Sequence, residues 1–230
     1  MHRCLVHIAP DSIWKMVKRG IVEGVQLING ATVTCKVCEQ AKVTRKQIRK
    51  EHEVPLSDVL GKEIHSDVWG PSPVPNLGGR RYFVTFTDDF SCHTWLTAMC
   101  MKDETLMAYK AYAAWLSTQH GAKIKWLHSD RKGEYTGEVF SRLLAEQGTE
   151  RRLTTYNTPQ HNGVAESLNH RLMERMHTFL IQSTLPKSLW AEVVHFVISL
   201  KNCSIMHVLW NATLHECLMG HKLNLAGLLE

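Results

Sequence analysis

The sequence predicts an α/β fold with a mixed sheet and flanking helices, preceded by a small, mainly helical module. Three observations carry this. After position 60, short apolar segments bounded by turn residues come first and long amphipathic segments follow. The run KVCEQAKVTRKQIRKEH (36–52), with six Lys or Arg and two Glu, is a solvated basic linker or helix rather than core, and sets a domain boundary near residues 50–60. A hydrophobic content of 44% in 230 residues suffices to bury a full core beside a small module.

The elements follow in order. Ile13, Met16 and Val17 stand at helical spacing within residues 1–20, and Gly20 and Gly24 punctuate the chain before Cys35-Lys-Val-Cys38. Glu63 to Trp69, Tyr82 to Asp88 and His93 to Met99 read as strands. The last two join through Asp88-Asp89-Phe90-Ser91, giving an antiparallel meander. Asp103 is expected to cap a helix running to about Gln119. Ile124 to His128 reads as a buried strand, and Glu138 to Gln147 as an amphipathic helix closed by Gly148. Arg151 to Thr154 is expected to add a fifth strand. A loop rich in Thr, Asn, Pro and Gly (155–163) then leads to helices from Val164 to about Ile181 and from Leu189 to about Lys201. Val164, Leu168, Leu172, Met176 and Leu180 form an apolar stripe at four-residue spacing, expected to pack on the sheet.

Composition narrows the function classes. The 27 Lys and Arg against 22 Asp and Glu give +5 and an isoelectric point near 8.8, a balance that suits a polyanionic partner. Seven cysteines, of which only Cys35 and Cys38 stand at metal-ligand spacing, argue against a secreted disulfide framework and for a reduced, intracellular setting. No signal peptide opens the chain. The longest apolar stretch, Leu189 to Leu200, is broken by Glu192 and His195 and is too short to span a bilayer, so a soluble protein without a membrane partner is expected.

Three carboxylates stand out: Asp67 in HSDVWGP, Asp130 in LHSDRKGEY and Glu166 in HNGVAESLNHRL, the last two separated by 35 residues. On the expected layout Asp67 lies on the first strand of the meander, Asp130 just past the fourth strand and Glu166 in the first turn of the following helix. If those two strands are neighbours, the aspartates share one sheet edge and the helix delivers the glutamate opposite them. Gathered carboxylates repel one another unless cations neutralise them, so the cluster reads as a site for two hard divalent ions, roughly 3.5–4 Å apart, serving in-line displacement at phosphorus. Asp88, Asp89, Glu134 and Glu138 are assigned instead to turns, helix starts and solvated faces.

Two further sets have two readings each. His2, His7, Cys35 and Cys38 supply two imidazoles and two thiolates, the complement of a closed tetrahedral zinc site, although Cys-x-x-Cys also occurs as a plain turn. Asn169 and His170 share the Glu166 side of their helix and either lie along a bound polyanion or form a solvated face; Arg171 and Arg175, with Arg151 and Arg152, offer phosphate contacts.

The words HSDVWGP, TDDFS followed by TW, WLHSDRKGEY, TPQHNGVAE and LNHRLMERMHTFL resemble the integrase region of Ty/copia-type LTR retrotransposon Pol polyproteins. The resemblance implies a ribonuclease H-like, retroviral integrase-type core with a five-stranded mixed sheet over residues 53–220. A His-His-Cys-Cys zinc module and basic linker would occupy 1–52, and the start of a carboxy-terminal extension 221–230. By that likeness Asp67, Asp130 and Glu166 bind two Mg²⁺ or Mn²⁺ ions, and His2, His7, Cys35 and Cys38 bind one structural Zn²⁺. The enzyme would trim the 3′ ends of element DNA and join them to target DNA. Water would be the nucleophile in trimming and the new 3′-hydroxyl in joining. The loop with Tyr156, Gln160 and Asn162, and the helix with Asn169, His170, Arg171 and Arg175, would approach DNA. The resemblance further implies a homo-multimer, action in the nucleus with a cytoplasmic particle stage before it, and RNA as a second nucleic-acid partner.

Some positions depart from the family pattern. Lys132 stands where two glycines usually follow Asp130-Arg131, and Cys92-His93, His170, His177, Cys203 and Trp210 stand where relatives often carry other residues. These departures, and the chain's starting within the zinc module and stopping soon after it passes residue 220, suit a truncated, decaying copy. Two alternatives therefore stand beside an active integrase: a catalytically dead nucleic-acid-binding remnant, and a ribonuclease H-like nuclease acting on hybrids.

Overall fold

The protein is described from a computed structural model over residues 5, 8–23, 35, 37–38, 57–130, 135, 137–153, 163–204, 216, 218 and 223–224. Pro10 opens helix α1 (Pro10–Lys18), where its missing N–H is one that no helical carbonyl would have received. Ile13 and Met16 are buried on one side of that helix. Past Gly20, whose φ of 61° ends the helix, strand β1 (Val22–Glu23) pairs in parallel with β7 (Leu223–Asn224), an association absent from the sequence expectations.

The main sheet is built from β2 (Glu63–Trp69), β3 (Tyr82–Asp88), β4 (Thr94–Met99), β5 (Trp126–Ser129) and β6 (Glu150–Leu153), in the order β4-β3-β2-β5-β6. The first three strands run antiparallel as a meander, while β5 runs parallel to both β2 and β6. This is the mixed five-stranded sheet with flanking helices that the sequence predicts. Parallel pairing requires crossovers, which helices α2 (Thr105–His120) and α3 (Glu138–Gln147) supply. Left-handed glycines end both, Gly121 at φ 63° and Gly148 at φ 69°.

Side chains alternate across a strand, so one sheet face carries Ile64, Val68, Val84, Phe86, Met99 and Leu127, which pack with Tyr109, Tyr112 and Leu116 of α2 and Phe140 and Leu144 of α3. The Phe86 and Tyr112 rings stack at 5.1 Å with planes 5° apart. Each such side chain, fully buried, contributes roughly 1.5–3 kcal/mol. The opposite face carries Glu63, His65, Asp67 and Trp69 of β2.

Helix α4 (Gly163–Ser183) buries Leu168, Leu172, Met176 and Leu180 of the expected stripe, and α5 (Trp190–Asn202) follows a 3₁₀ turn at Lys187–Leu189. Two boundary expectations are corrected. The fourth strand starts at Trp126 rather than Ile124, which is buried ahead of the ladder. Asp103 does not cap α2: a 3₁₀ turn at Lys102–Glu104 delays the helix to Thr105 and brings Glu104 into position three after Met101. Its Oε1 accepts from the backbone N–H groups of Cys100 and Met101, both at 3.1 Å.

The chain forms two compact units, residues 51–171 with 187–191 and residues 1–50 with 172–186 and 192–230. No helix among the described residues is long and apolar enough to cross a membrane.

Candidate functional site

Asp67 lies at the middle of β2, 7% exposed, opposite Thr85 of β3. Its Oδ2 accepts a hydrogen bond of 2.8 Å from the side-chain amide of Asn169 on α4. The Thr85 hydroxyl lies 3.3 Å from Asn169 Oδ1, to which it donates, and 3.4 Å from the Asp67 carbonyl. One buried asparagine thereby ties the helix to two neighbouring strands. Ala165 and Leu168, 0% and 4% exposed, seat the same first turns.

Glu166 is three residues before Asn169, on the adjoining turn of one helix face. It is exposed, and it lies in the first turn, where the helix dipole favours a carboxylate. Asp130 directly follows the last residue of β5 and is half-buried. The β2–β5 register pairs Glu63 with Trp126, Ile64 with Leu127 and His65 with His128, so Asp130 follows the last registered pair by two residues, as Asp67 does on β2. Adjacent strands are about 4.8 Å apart.

Among the described residues no three His, Cys, Asp or Glu side chains converge as a ready metal cage. Asp67, Asp130 and Glu166, all of them described, are therefore not drawn together as the three-carboxylate cluster that the sequence predicts. The side chains expected as ligands, Asp67, Asp130 and Glu166, offer only carboxylate oxygen, which suits a hard divalent cation and not a soft one.

Below the aspartates lies a feature the sequence reading passed over. His65 and His128, 7% and 6% exposed, stack with ring centroids 4.7 Å apart and planes 23° apart. His128 Nε2 donates to Glu63 Oε2 at 3.1 Å, and His65 Nε2 lies 3.4 Å from Asp89 Oδ1. Burial, reinforced by the neighbouring His65, lowers the His128 pKa to about 4, against a smaller opposing pull from Glu63. The signal was present in the sequence: His-Ser-Asp occurs twice, at 65–67 and 128–130.

Asp88 and Asp89 serve the turn, as their sequence setting implied. Asp88 Oδ2 accepts from the Ser91 N–H and hydroxyl, and its Oδ1 from the Gly61 N–H, all at 2.7 Å. Burial nevertheless raises its pKa. Asp89 Oδ2 accepts from the Ser57 N–H at 2.7 Å.

The remaining candidates divide. Asn169 is 4% exposed and turns inward to Asp67 instead of along a solvent-facing helix side. His170 and Arg171 are exposed, Arg175 is half-buried, and Arg171 Nε donates to the Ser167 carbonyl at 3.3 Å. Arg151 donates to the Tyr135 carbonyl, and Arg152 lies over the Trp126 ring at 3.7 Å with Glu63 Oε1 4.0 Å away, so both have protein contacts where phosphate contacts were expected. Cys35 and Cys38 are half-buried; His2 and His7 lie outside the described residues, as do Tyr156, Gln160, Asn162 and Lys132.

Residues 61–159 match the family described as "Integrase core domain". Over 206 residues the chain is 32% identical to the retrovirus-related Pol polyprotein from transposon TNT 1-94 of Nicotiana tabacum, a match covering 88% of this chain and 15% of that protein. The chain thus spans about 15% of the length of the curated relative it matches. Its fold is similar to a chain of the simian T-cell lymphotropic virus intasome solved with the PP2A regulatory subunit B56 gamma. The TM-score is 0.57 at 12% identity, covering 80% of this chain and 62% of that one.

Proposed function

Residues 61–159 belong to the integrase core family of retrovirus-related Pol polyproteins, and on that premise we propose that this chain performs DNA integration by metal-dependent polynucleotidyl transfer. The observation that carries this reading is the Asn169–Asp67 hydrogen bond. It fixes the start of α4 on the strand that bears Asp67, with Glu166 one turn away and Asp130 two residues past the His65–His128 pair that joins this strand to its neighbour.

Asp67, Asp130 and Glu166 are assigned as ligands of Mg²⁺ or Mn²⁺. Bound divalent ions would supply Lewis-acid stabilisation of the charge that develops on the attacking and leaving oxygens of a phosphodiester exchange. The protein contributes placement. Asn169 orients the Asp67 carboxylate through its amide, and the Thr85 hydroxyl holds that amide in turn. Glu166 remains exposed, so a ligand on this side of the helix is accessible to a DNA end. His170 and Arg171 follow it on α4 and are assigned, with Tyr156, Gln160, Asn162 and Arg175, to DNA contact. Assembly of several copies on two DNA ends, a zinc site at His2, His7, Cys35 and Cys38, and action in the nucleus belong to the same reading.

The test is strand transfer with Mg²⁺ or Mn²⁺ on oligonucleotide ends, comparing the natural chain with Glu166→Gln. Joining that the substitution abolishes supports the proposal. DNA binding without joining in either protein leaves a nucleic-acid-binding remnant, and cleavage of an RNA–DNA hybrid without joining points to a nuclease.

A further inference from the structure

We propose that His65 and His128 are positioning residues for the acidic site, holding Asp130 level with Asp67 through their stacked rings. The inference rests on the assignment of the two aspartates as metal ligands.

The β2–β5 ladder ends at the histidines. Its last registered pair is His65 with His128, although β2 continues against β3 as far as Trp69. Asp67 is therefore held by backbone pairing on its β3 side, whereas Asp130 lies beyond the end of its own strand. The last registered backbone pair between β2 and β5 lies at the two rings, two residues before each acid. Residues two apart on a strand project to the same face, so the histidines stand directly below Asp67 and below the position from which Asp130 leaves the ladder. The same tripeptide, His-Ser-Asp, occupies both strands in register.

The pair is not what packing alone would select. Two imidazoles buried to more than nine-tenths carry a desolvation cost that a Val–Ile pair in the same sheet would not. His65 Nδ1 is buried with no hydrogen-bond partner among the described residues, a further cost on the order of 1–3 kcal/mol. What aliphatic side chains lack is the flat contact at 4.7 Å, together with outward tethers to Glu63 from one ring and Asp89 from the other. The tethers offset part of the cost of burying the imidazoles, and it is the stack that restricts sliding of β5 along β2. Mg²⁺ demands near-ideal octahedral ligand placement at about 2.0–2.1 Å, so a small shear between the strands matters more to the site than to the fold.

Two substitutions in the full chain separate the ring from its hydrogen bond. His128→Gln keeps an amide donor for Glu63 and removes the ring, whereas His128→Phe keeps a ring and removes the donor. Mn²⁺ binding is read by the loss of the free-ion signal in electron paramagnetic resonance, alongside circular dichroism and thermal melting. Supporting residues of metal ligands typically contribute 10–100-fold to affinity, so the expected result is a roughly tenfold or greater weakening in His128→Gln and a nearly unchanged affinity in His128→Phe. Retention in both, loss in both, or loss in His128→Phe alone overturns the assignment. The matching His65 pair replaces any variant that does not melt cooperatively. If the natural chain binds no Mn²⁺ that Asp67→Asn removes, the metal-site reading falls first and this inference with it. Mn²⁺ binding that depends on Asp67 but is indifferent to the histidine rings overturns this inference alone.

Discussion

The side-chain amide of Asn169 donates to Asp67 Oδ2 across 102 residues of sequence. The two residues belong to different element types, and their bond makes the helix start a dependent of the central strand. Asn169→Ala removes that donor and the acceptor of the Thr85 hydroxyl together, with an expected loss of about 1–3 kcal/mol in denaturant unfolding. Asn169→Asp should be worse, because it sets a second carboxylate within hydrogen-bond reach of Asp67. Its melting temperature should fall further at about pH 8 than at about pH 5, where one of the two acids can hold a proton. Equal melting of Asn169→Asp and Asn169→Ala at both pH values would contradict the contact.

Acid stability should report the buried imidazole of His128. Its folded pKa is depressed to about 4 from an unfolded value of 6.5. Above the unfolded value neither state holds the proton, and the full stability is present. As pH falls from about 6.5 to 4 the unfolded chain takes up a proton that the folded chain refuses, so stability is lost across that window, by up to about 3 kcal/mol. Urea unfolding of the metal-free protein should show this slope, and His128→Gln should reduce it. An unaltered slope in that variant would assign the acid sensitivity to other groups.

Gly70, in the HSDVWGP word, has a backbone reason to be glycine. Its φ is 127°, and a Cβ built there would lie 2.6 Å from Tyr82 Cδ1 and 2.7 Å from the Arg81 carbonyl oxygen. Gly70→Ala should destabilise by about 2 kcal/mol or more, combining a disfavoured φ with a backbone clash. By contrast, Gly79→Ala, at φ 75° with nothing within 4 Å of its Cβ, should cost only the conformational strain, about 1 kcal/mol. Comparable melting temperatures for the two variants would remove the steric explanation.

These residues also show what was legible in the sequence. Strands Glu63–Trp69 and Tyr82–Asp88 were readable to the residue, because Ile64, Val68, Val84 and Phe86 alternate with residues of the opposite face between turn signals. Gly148 announced the end of its helix because a left-handed terminus favours that side chain. The inward turn of Asn169 was not readable. Periodicity placed it off the leucine stripe, but whether an off-stripe polar residue meets water or a strand depends on a contact 102 residues away. The β1–β7 pairing was hidden for the same reason, with two-residue strands too short to carry a pattern. The stacked histidines were readable only in retrospect: the two His-Ser-Asp words become informative once the strands that bear them are known to be neighbours.

The pairing of Val22 with Leu223 joins residues 201 apart in sequence. The entropy of closing so long a loop grows only as about (3/2)RT ln n, so the separation is no great thermodynamic obstacle. It matters during synthesis. At roughly 5–20 residues per second, β1 emerges about 10–40 seconds before its partner strand exists. All five strands of the main sheet have been translated by residue 153. The sheet that bears Asp67 can therefore assemble on the ribosome while the unit containing both β1 and β7 still waits for the last residues of its own strand pair.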